Sequence, residues 1–448
     1  MLRKSGFVML LALVCILSAC SNVGSDAPGD SQRLTKDGKK TVVFSVLSSN
    51  RFLETAVRLF EEKHNDIRIE IKEYKASEGT EGGGAREGFS LADIEKYVQS
   101  VTTQVVSDGG PDLILMNNLP QHKFVEKNRL AHLNDLIADG SSFDRNTIYD
   151  NILKASQDGE GLYTIPLSFS LETIQGNTEL LKELNISVDK NAPWTWSQFS
   201  DVAKKLKEQG GSEGYYNLMM SPLLHTYIED RYEELVGEGQ PGFDSDLFRN
   251  MMEEIKSIYD EGLLNEGMAS DPAKAVFRMV GIFNPVAALT MPSNLDYYHN
   301  PSATGKQEGV PFKAIDSLGI NSKSEVQSEA WEFIKFLLSD EMQASPDLFG
   351  LPMNKTATDK RLNEVVEKIE NGTLELPIPK DMLPSSETIK NRIAEVQQLI
   401  SEAGARKLSD LKVLTIATEE FESYKNGQKS AEEVSKLIQN RVTTYLNE

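Results

Sequence analysis

The sequence predicts an α/β protein with a mostly parallel sheet, on two observations. In the N-terminal part, short β-branched runs alternate with stretches whose apolar residues recur at helical spacing. The C-terminal third is strongly helical, with successive amphipathic stripes. At 448 residues the chain suits two or three domains. A chain of that size buries enough apolar surface for packing alone to stabilise it.

The elements follow in order. Thr41-Val42-Val43-Phe44-Ser45-Val46 reads as a buried strand. Leu53, Ala56, Val57 and Phe60 then mark a helix, and Ile67, Ile69 and Ile71 alternate as a second strand. A Gly/Glu-rich stretch, 77–88, predicts a surface loop, and helix-like residues run from Leu91 to Val106. Gly109-Gly110-Pro111 breaks them, and Asp112-Leu113-Ile114-Leu115-Met116 is a third strand. Pro193-Trp194-Thr195-Trp196 opens a helix carrying Phe199, Val202, Ala203 and Leu206. Ala330, Phe333, Ile334, Leu337 and Leu338 mark another. The last stripes are Ile389, Ile393, Val396 and Ile400, then Val434, Leu437, Ile438 and Val442. No internal repeat is visible.

Ahead of this body, Arg3 and Lys4 precede an uncharged run from Phe7 to Leu17, and Leu17-Ser18-Ala19-Cys20 follows. Eleven apolar residues fall well short of the roughly 20 that cross a bilayer. A basic start, a short apolar stretch and small residues before a cleavage point predict an export signal over 1–19. Leucine three residues before a cysteine, with small residues between, resembles the lipobox of bacterial lipoproteins. By that resemblance the chain is cut before Cys20 and acylated there, and 20–40, polar and glycine-containing, is a flexible tether. Cys15 leaves with the signal, so the exported protein has neither a free thiol nor a disulfide. Thiol catalysis and cysteine–zinc sites are thereby excluded.

Net charge is −21, and removing Arg3 and Lys4 makes the mature chain two charges more negative. The charges are interspersed, which describes a solvated acidic surface. A field of this sign argues against nucleic acid, whose phosphates need clustered lysine and arginine. Neutral or weakly cationic solutes remain compatible. The five histidines show no paired metal-ligand spacing, and no Gly-rich nucleotide motif occurs, so no cofactor is expected. Gly210-Gly211-Ser212-Glu213-Gly214 fits G-x-S-x-G, but a helix precedes it and an apolar run follows, the reverse of a nucleophile elbow. A lipid-anchored surface hydrolase using Ser212 is the rival from another class, and a scaffold or adhesion lipoprotein a third reading.

Several segments resemble, in order, the extracellular solute-binding proteins of ATP-driven importers, in the branch that includes the maltose binders. They are Gly110-Pro111-Asp112-Leu113-Ile114 with Asn117, Asp158-Gly159 with Tyr163-Thr164-Ile165-Pro166, and Pro193 to Leu206. Leu318-Gly319-Ile320 with Ser322-Lys323-Ser324, Ala330 to Leu337, and a late helix over 427–438 complete the set. The resemblance implies a two-lobe, type II periplasmic-binding fold that closes on solute, with crossings near Ile165–Ser170 and Ala287–Pro292. It assigns 41–166 and 292–342 to lobe 1, and 167–291 and 343–448 to lobe 2. It implies a monomeric receptor without enzymatic activity, lipid-anchored on the extracytoplasmic face of the cell membrane. Its partners would be a small-molecule solute, an oligosaccharide ahead of an oligopeptide, a polyamine or a polyuronide fragment, and the permease subunits of an importer. Sugar binders of this kind often line the cleft with tryptophan. Trp196 and Trp331, however, sit in helical stretches that read as core.

An open doubly wound sheet binds ligand beyond the carboxyl ends of its strands. The loops after the first and third strands supply Ser49, Asn50 and Arg51, and Asn117 and Asn118, whose amides and hydroxyls suit neutral polyols. Phe169, on the first crossing, is the candidate stacking residue. Ser221 and His225 open a helix in the second lobe, and Tyr297 follows the second crossing beside Asp296.

Overall fold

The computed structural model describes residues 38–75, 89–107, 109–138, 143–210, 216–219, 222–237, 240–266, 274–303, 305, 309–374 and 384–447. The predicted signal, Cys20 and most of the tether lie outside them, as does the 77–88 loop. Strands β1 (Lys40–Val46), β2 (Ile67–Glu73) and β3 (Leu113–Leu115) stand in the order β2-β1-β3, with β1 parallel to both neighbours. The long β4 (Ile165–Asn177) follows, then β5 (Trp194–Thr195), β6 (Tyr216–Met219), β7 (Leu264–Glu266) and β8 (Ala275–Ile282). Next come β9 (Leu295–Tyr298), β10 (Pro301–Ser302), β11 (Val310–Ile320), β12 (Leu351–Pro352) and β13 (Ala403–Arg406). One sheet runs β2-β1-β3-β11-β4-β8-β6-β7, with β9, β12 and β13 branching from it, while β5 and β10 pair apart.

The antiparallel pair β4 and β11 joins two bodies. The first half of β4 pairs with β12, and its second half with β8 and β9. Each body has its own core. One gathers Phe44, Phe60 and Phe333 around β1, β3 and β11, and the other gathers Trp196, Tyr227, Phe248 and Phe277 around β6 and β8. The division of cores differs from the expected lobe boundary after 342. Leu351, Leu362, Val365, Ile389, Val396 and Ile400 pack in the first core, and the second resumes at Val413. The reason is that helices Lys355–Glu370 and Ser386–Glu402 turn their apolar stripes onto helix Pro285–Leu289 and strands β11 and β12. The expected crossing at Ala287–Pro292 is also corrected. Asn284 accepts a hydrogen bond from the Ala287 amide and Pro285 takes a first-turn position, so a short helix forms there, with Ala288 and Leu289 in the first core. The chain instead enters the first body along β8, goes back to the second along β9, re-enters the first with β11, and leaves again after β13.

Two of the resembling motifs clamp one another. The Asp112 carboxylate accepts from the Val43 amide at 2.9 Å and from the Ser324 hydroxyl at 2.7 Å. Asn321 donates to the Gly109 and Pro111 carbonyls, each at 3.0 Å. These bonds leave the buried polar groups satisfied and fix β3 beside β1 and β11. All three tryptophans are buried. Trp194 donates to the His299 carbonyl at 2.7 Å, Trp196 stacks on Tyr227 at 4.9 Å, and Trp331 meets Phe143 edge-on.

Candidate functional site

The carboxyl ends of β1, β2 and β3 open toward the middle of β4 and β11, where the two bodies face each other. Along β4, alternate side chains point to opposite faces. Ser168, Ser170 and Glu172 share a face with Ile315 and Lys313, which pair with Ser168 and Ser170. Phe169 and Leu171 share the other face with Ala314 and Phe312, and that face is core.

The first face forms the floor between the bodies and is charged. Lys313 pairs with Glu229 at 3.0 Å, and Lys407 contacts Asp230, both acids ending helix Leu223–Asp230 of the second body. Burial pushes the Glu172 carboxyl up, against the pull of Lys313. Burial works to lower Lys313 as well, but Glu172 and Glu229 outweigh it and its pKa rises. Burial lowers the Lys407 ammonium to about 8.

The residues singled out from sequence divide into three groups. Ser49 is buried on the loop after β1, and its amide donates to Glu73 at 2.9 Å. Asn50 caps helix Arg51–Lys63 by accepting from the Leu53 amide, and the exposed Arg51 pairs with Asp347 at 3.0 Å. Asn117 donates to Asp316 at 2.8 Å, and Asn118 adopts a left-handed φ of 63° beside it. These five lie at the carboxyl ends of β1 and β3.

Phe169, Tyr297 and His225 do not present themselves for stacking or bonding as expected. Phe169 is 0% exposed, packed edge-on against Tyr149 and Phe312, because its strand position falls on the core face. Tyr297 is buried in the first core, and its hydroxyl donates to the Ala288 carbonyl at 3.2 Å. Burial raises its pKa strongly. His225 Nε2 lies 2.8 Å from the Thr418 hydroxyl, turned toward helix Leu411–Lys425 within the second body. Ser221 and Ser212 lie outside the described residues.

Other side chains occupy the opening. Five large apolar residues are exposed among the described residues. Tyr74 follows β2, Phe89 precedes helix Leu91–Val106, and Phe283 follows β8. These three and Leu411 are between 37% and 41% exposed, and Phe349 is 61% exposed. Phe283 and Phe349 stack at 5.8 Å with 22° between rings. The Phe349 carbonyl accepts from the Ser168 hydroxyl at 2.6 Å, which seats this pair beside the floor. The Arg51–Asp347 pair ties the same loop to the end of β1. The sequence signal for Phe283 was the Asn284-Pro285 helix start directly after a strand-like run.

Farther out, a groove of about 340 Å³ lies between the bodies. Leu91, Val98, Thr102 and Asn118 line it from the first, and Asp410, Leu411 and Tyr445 from the second. Lys412 and Glu95 bridge it at 2.5 Å. Among the described residues no group of three histidine, cysteine, aspartate or glutamate side chains is placed to hold a metal, and no helix is long and apolar enough to cross a membrane.

Two α/β bodies joined by antiparallel crossing strands, with an exposed aromatic pair seated beside the floor between them, define a two-lobe binding protein. The chain belongs to the bacterial extracellular solute-binding proteins, whose family profile matches residues 48–344. It therefore binds solute outside the cytoplasm and is not an enzyme. Solved structures with a similar fold include an ABC substrate-binding protein from Listeria monocytogenes in complex with cycloalternan. It is 16% identical with a TM-score of 0.53, over 91% of this chain and 99% of that one. The sugar-binding protein MalE from Xanthomonas citri is 16% identical with a TM-score of 0.56, over 91% and 98%. Maltose-bound MalE3 from T. maritima is 16% identical with a TM-score of 0.52, over 91% and 99%. The fold is thus the type II periplasmic-binding fold. A search of curated proteins found no match.

Proposed function

We propose that this protein is the lipid-anchored receptor of an ATP-driven importer and captures a neutral oligosaccharide between its lobes. The observation that carries the sugar assignment is the placement of the exposed aromatic residues. Phe283 and Phe349 stack beside Ser168 of the floor, and Tyr74 and Phe89 are exposed after β2 and before helix Leu91–Val106. Pyranose rings present C–H faces that pack on aromatic rings, while their hydroxyls meet polar groups such as those of the floor. The fold neighbours named above include a cycloalternan complex and a maltose complex, which supports the same class.

In this reading lobe 1 comprises the first core and lobe 2 the second, and β4, β8 and β11 are the hinge. Solute binds one lobe first, and contacts made only in the closed form shift the hinge equilibrium. The permease subunits read the closed shape. Cys20 carries the acyl chains, the tether through residue 40 spans the gap to the membrane, and the receptor acts as a monomer. A thermal-shift screen against maltose, cycloalternan and a panel of neutral oligosaccharides tests the assignment. Stabilisation by at least one glycan is expected. Stabilisation by none, alongside a response to oligopeptides or polyamines, would replace the sugar with another solute.

A further inference from the structure

We infer that Asp316 is the polar anchor of the solute, its outer carboxylate oxygen accepting hydrogen bonds from adjacent hydroxyls of a sugar ring. This rests on the oligosaccharide reading above and names the group that would select for it. Asp316 interrupts β11. Ile315 pairs with Ser168 and Ser317 with Pro166, while Asp316 between them has no partner in the register. Its φ of 50° lies in the left-handed region, which an aspartate adopts at some cost and which clusters at ligand clamps. The departure turns the residue out of the strand's alternation and toward the carboxyl end of β3.

There Asn117 donates to Oδ1 at 2.8 Å and holds the carboxylate in one orientation. Oδ2 is left without a protein donor among the described residues. Burial pushes this carboxyl up, and among the described residues only the Asn117 bond acts against it. A half-buried carboxylate with one clamped and one open oxygen leaves an acceptor that a donor from outside the chain can fill. A pair of neighbouring hydroxyls supplies that donor. Asn118, the next residue, lines the interlobe groove, so the anchor and the groove are contiguous.

The test is isothermal titration of the wild type, Asp316→Asn and Asp316→Gly with maltose, cycloalternan and a panel of neutral oligosaccharides. Asparagine keeps the shape and removes the charge. Glycine tolerates the left-handed backbone, which guards against a folding failure. The expected result is a Kd raised about tenfold or more in both variants, with melting temperatures no lower than wild type. Wild-type affinity should also weaken on acidification as the carboxylate takes up a proton, while that of Asp316→Asn stays level. If the wild type binds a glycan and both variants bind it equally well, the anchor assignment is overturned and the sugar reading stands. If the wild type binds no glycan, the sugar reading fails and the anchor with it.

Discussion

Replacing Phe349 with alanine separates binding from folding. The ring is 61% exposed, so its removal takes little from the folded core. What the protein loses is the stacked contact with Phe283, on the order of 1 kcal/mol. For a chain of this length that lowers the melting temperature by only about 2 °C. A bound sugar ring would cover roughly 60–100 Å² of the aromatic pair, which at about 25 cal/mol per Å² comes to roughly 2 kcal/mol. The expected loss of affinity is therefore about thirtyfold. Isothermal titration gives the Kd, and scanning calorimetry of the same samples gives stability. Phe349→Trp should retain binding, since the face is kept. Unchanged affinity in both Phe349→Ala and Phe283→Ala would refute the argument that this pair is the platform.

Three further outcomes follow from the same geometry. Because burial raises the Asp316 pKa above its unfolded value of 3.8, the unfolded chain binds fewer protons between those two values, and stability falls as pH rises through that window. Asp316→Asn should thus be more stable than wild type at neutral pH, and urea melts should show this advantage vanish below the unfolded value. The buried Arg392 donates to the Met291, Pro292, Leu295 and Leu289 carbonyls, at 2.7 Å to Pro292. Arg392→Met should cost about 3 kcal/mol or more by stranding them, and an unshifted urea midpoint would contradict that. The Lys412–Glu95 pair joins the lobes at a partly exposed site and is worth less than about 1 kcal/mol. Lys412→Ala should leave the melting temperature unchanged while opening the ligand-free protein measurably in low-salt solution scattering.

Much of the fold was legible because hydrophobic spacing reports secondary structure directly. The strand over Thr41–Val46 and the stripes at Phe199 to Leu206 and Ala330 to Leu338 all appear as elements. The lobe boundary was less legible, because the stripes at Val365 and Ile389 say that a helix packs without saying against which body. The aromatic site residues failed for a related reason. Phe169 and Phe349 look alike in sequence, yet a one-residue change of strand position sends a ring into the core and a loop leaves one in water. Asp316 gave no signal at all, since a left-handed backbone in the middle of a strand comes from its partners and not from local pattern. Asn50 and Asn117 were found where strand-end loops should be, but their side chains are partly taken up by capping and by Asp316.

Closure on solute is tested most directly by small-angle scattering of the protein with and without a glycan that stabilises it. Two lobes hinged on β4, β8 and β11 should contract, with a smaller radius of gyration and a shorter maximum dimension in the bound sample. Identical scattering at saturating glycan would contradict a receptor that reports capture by its shape.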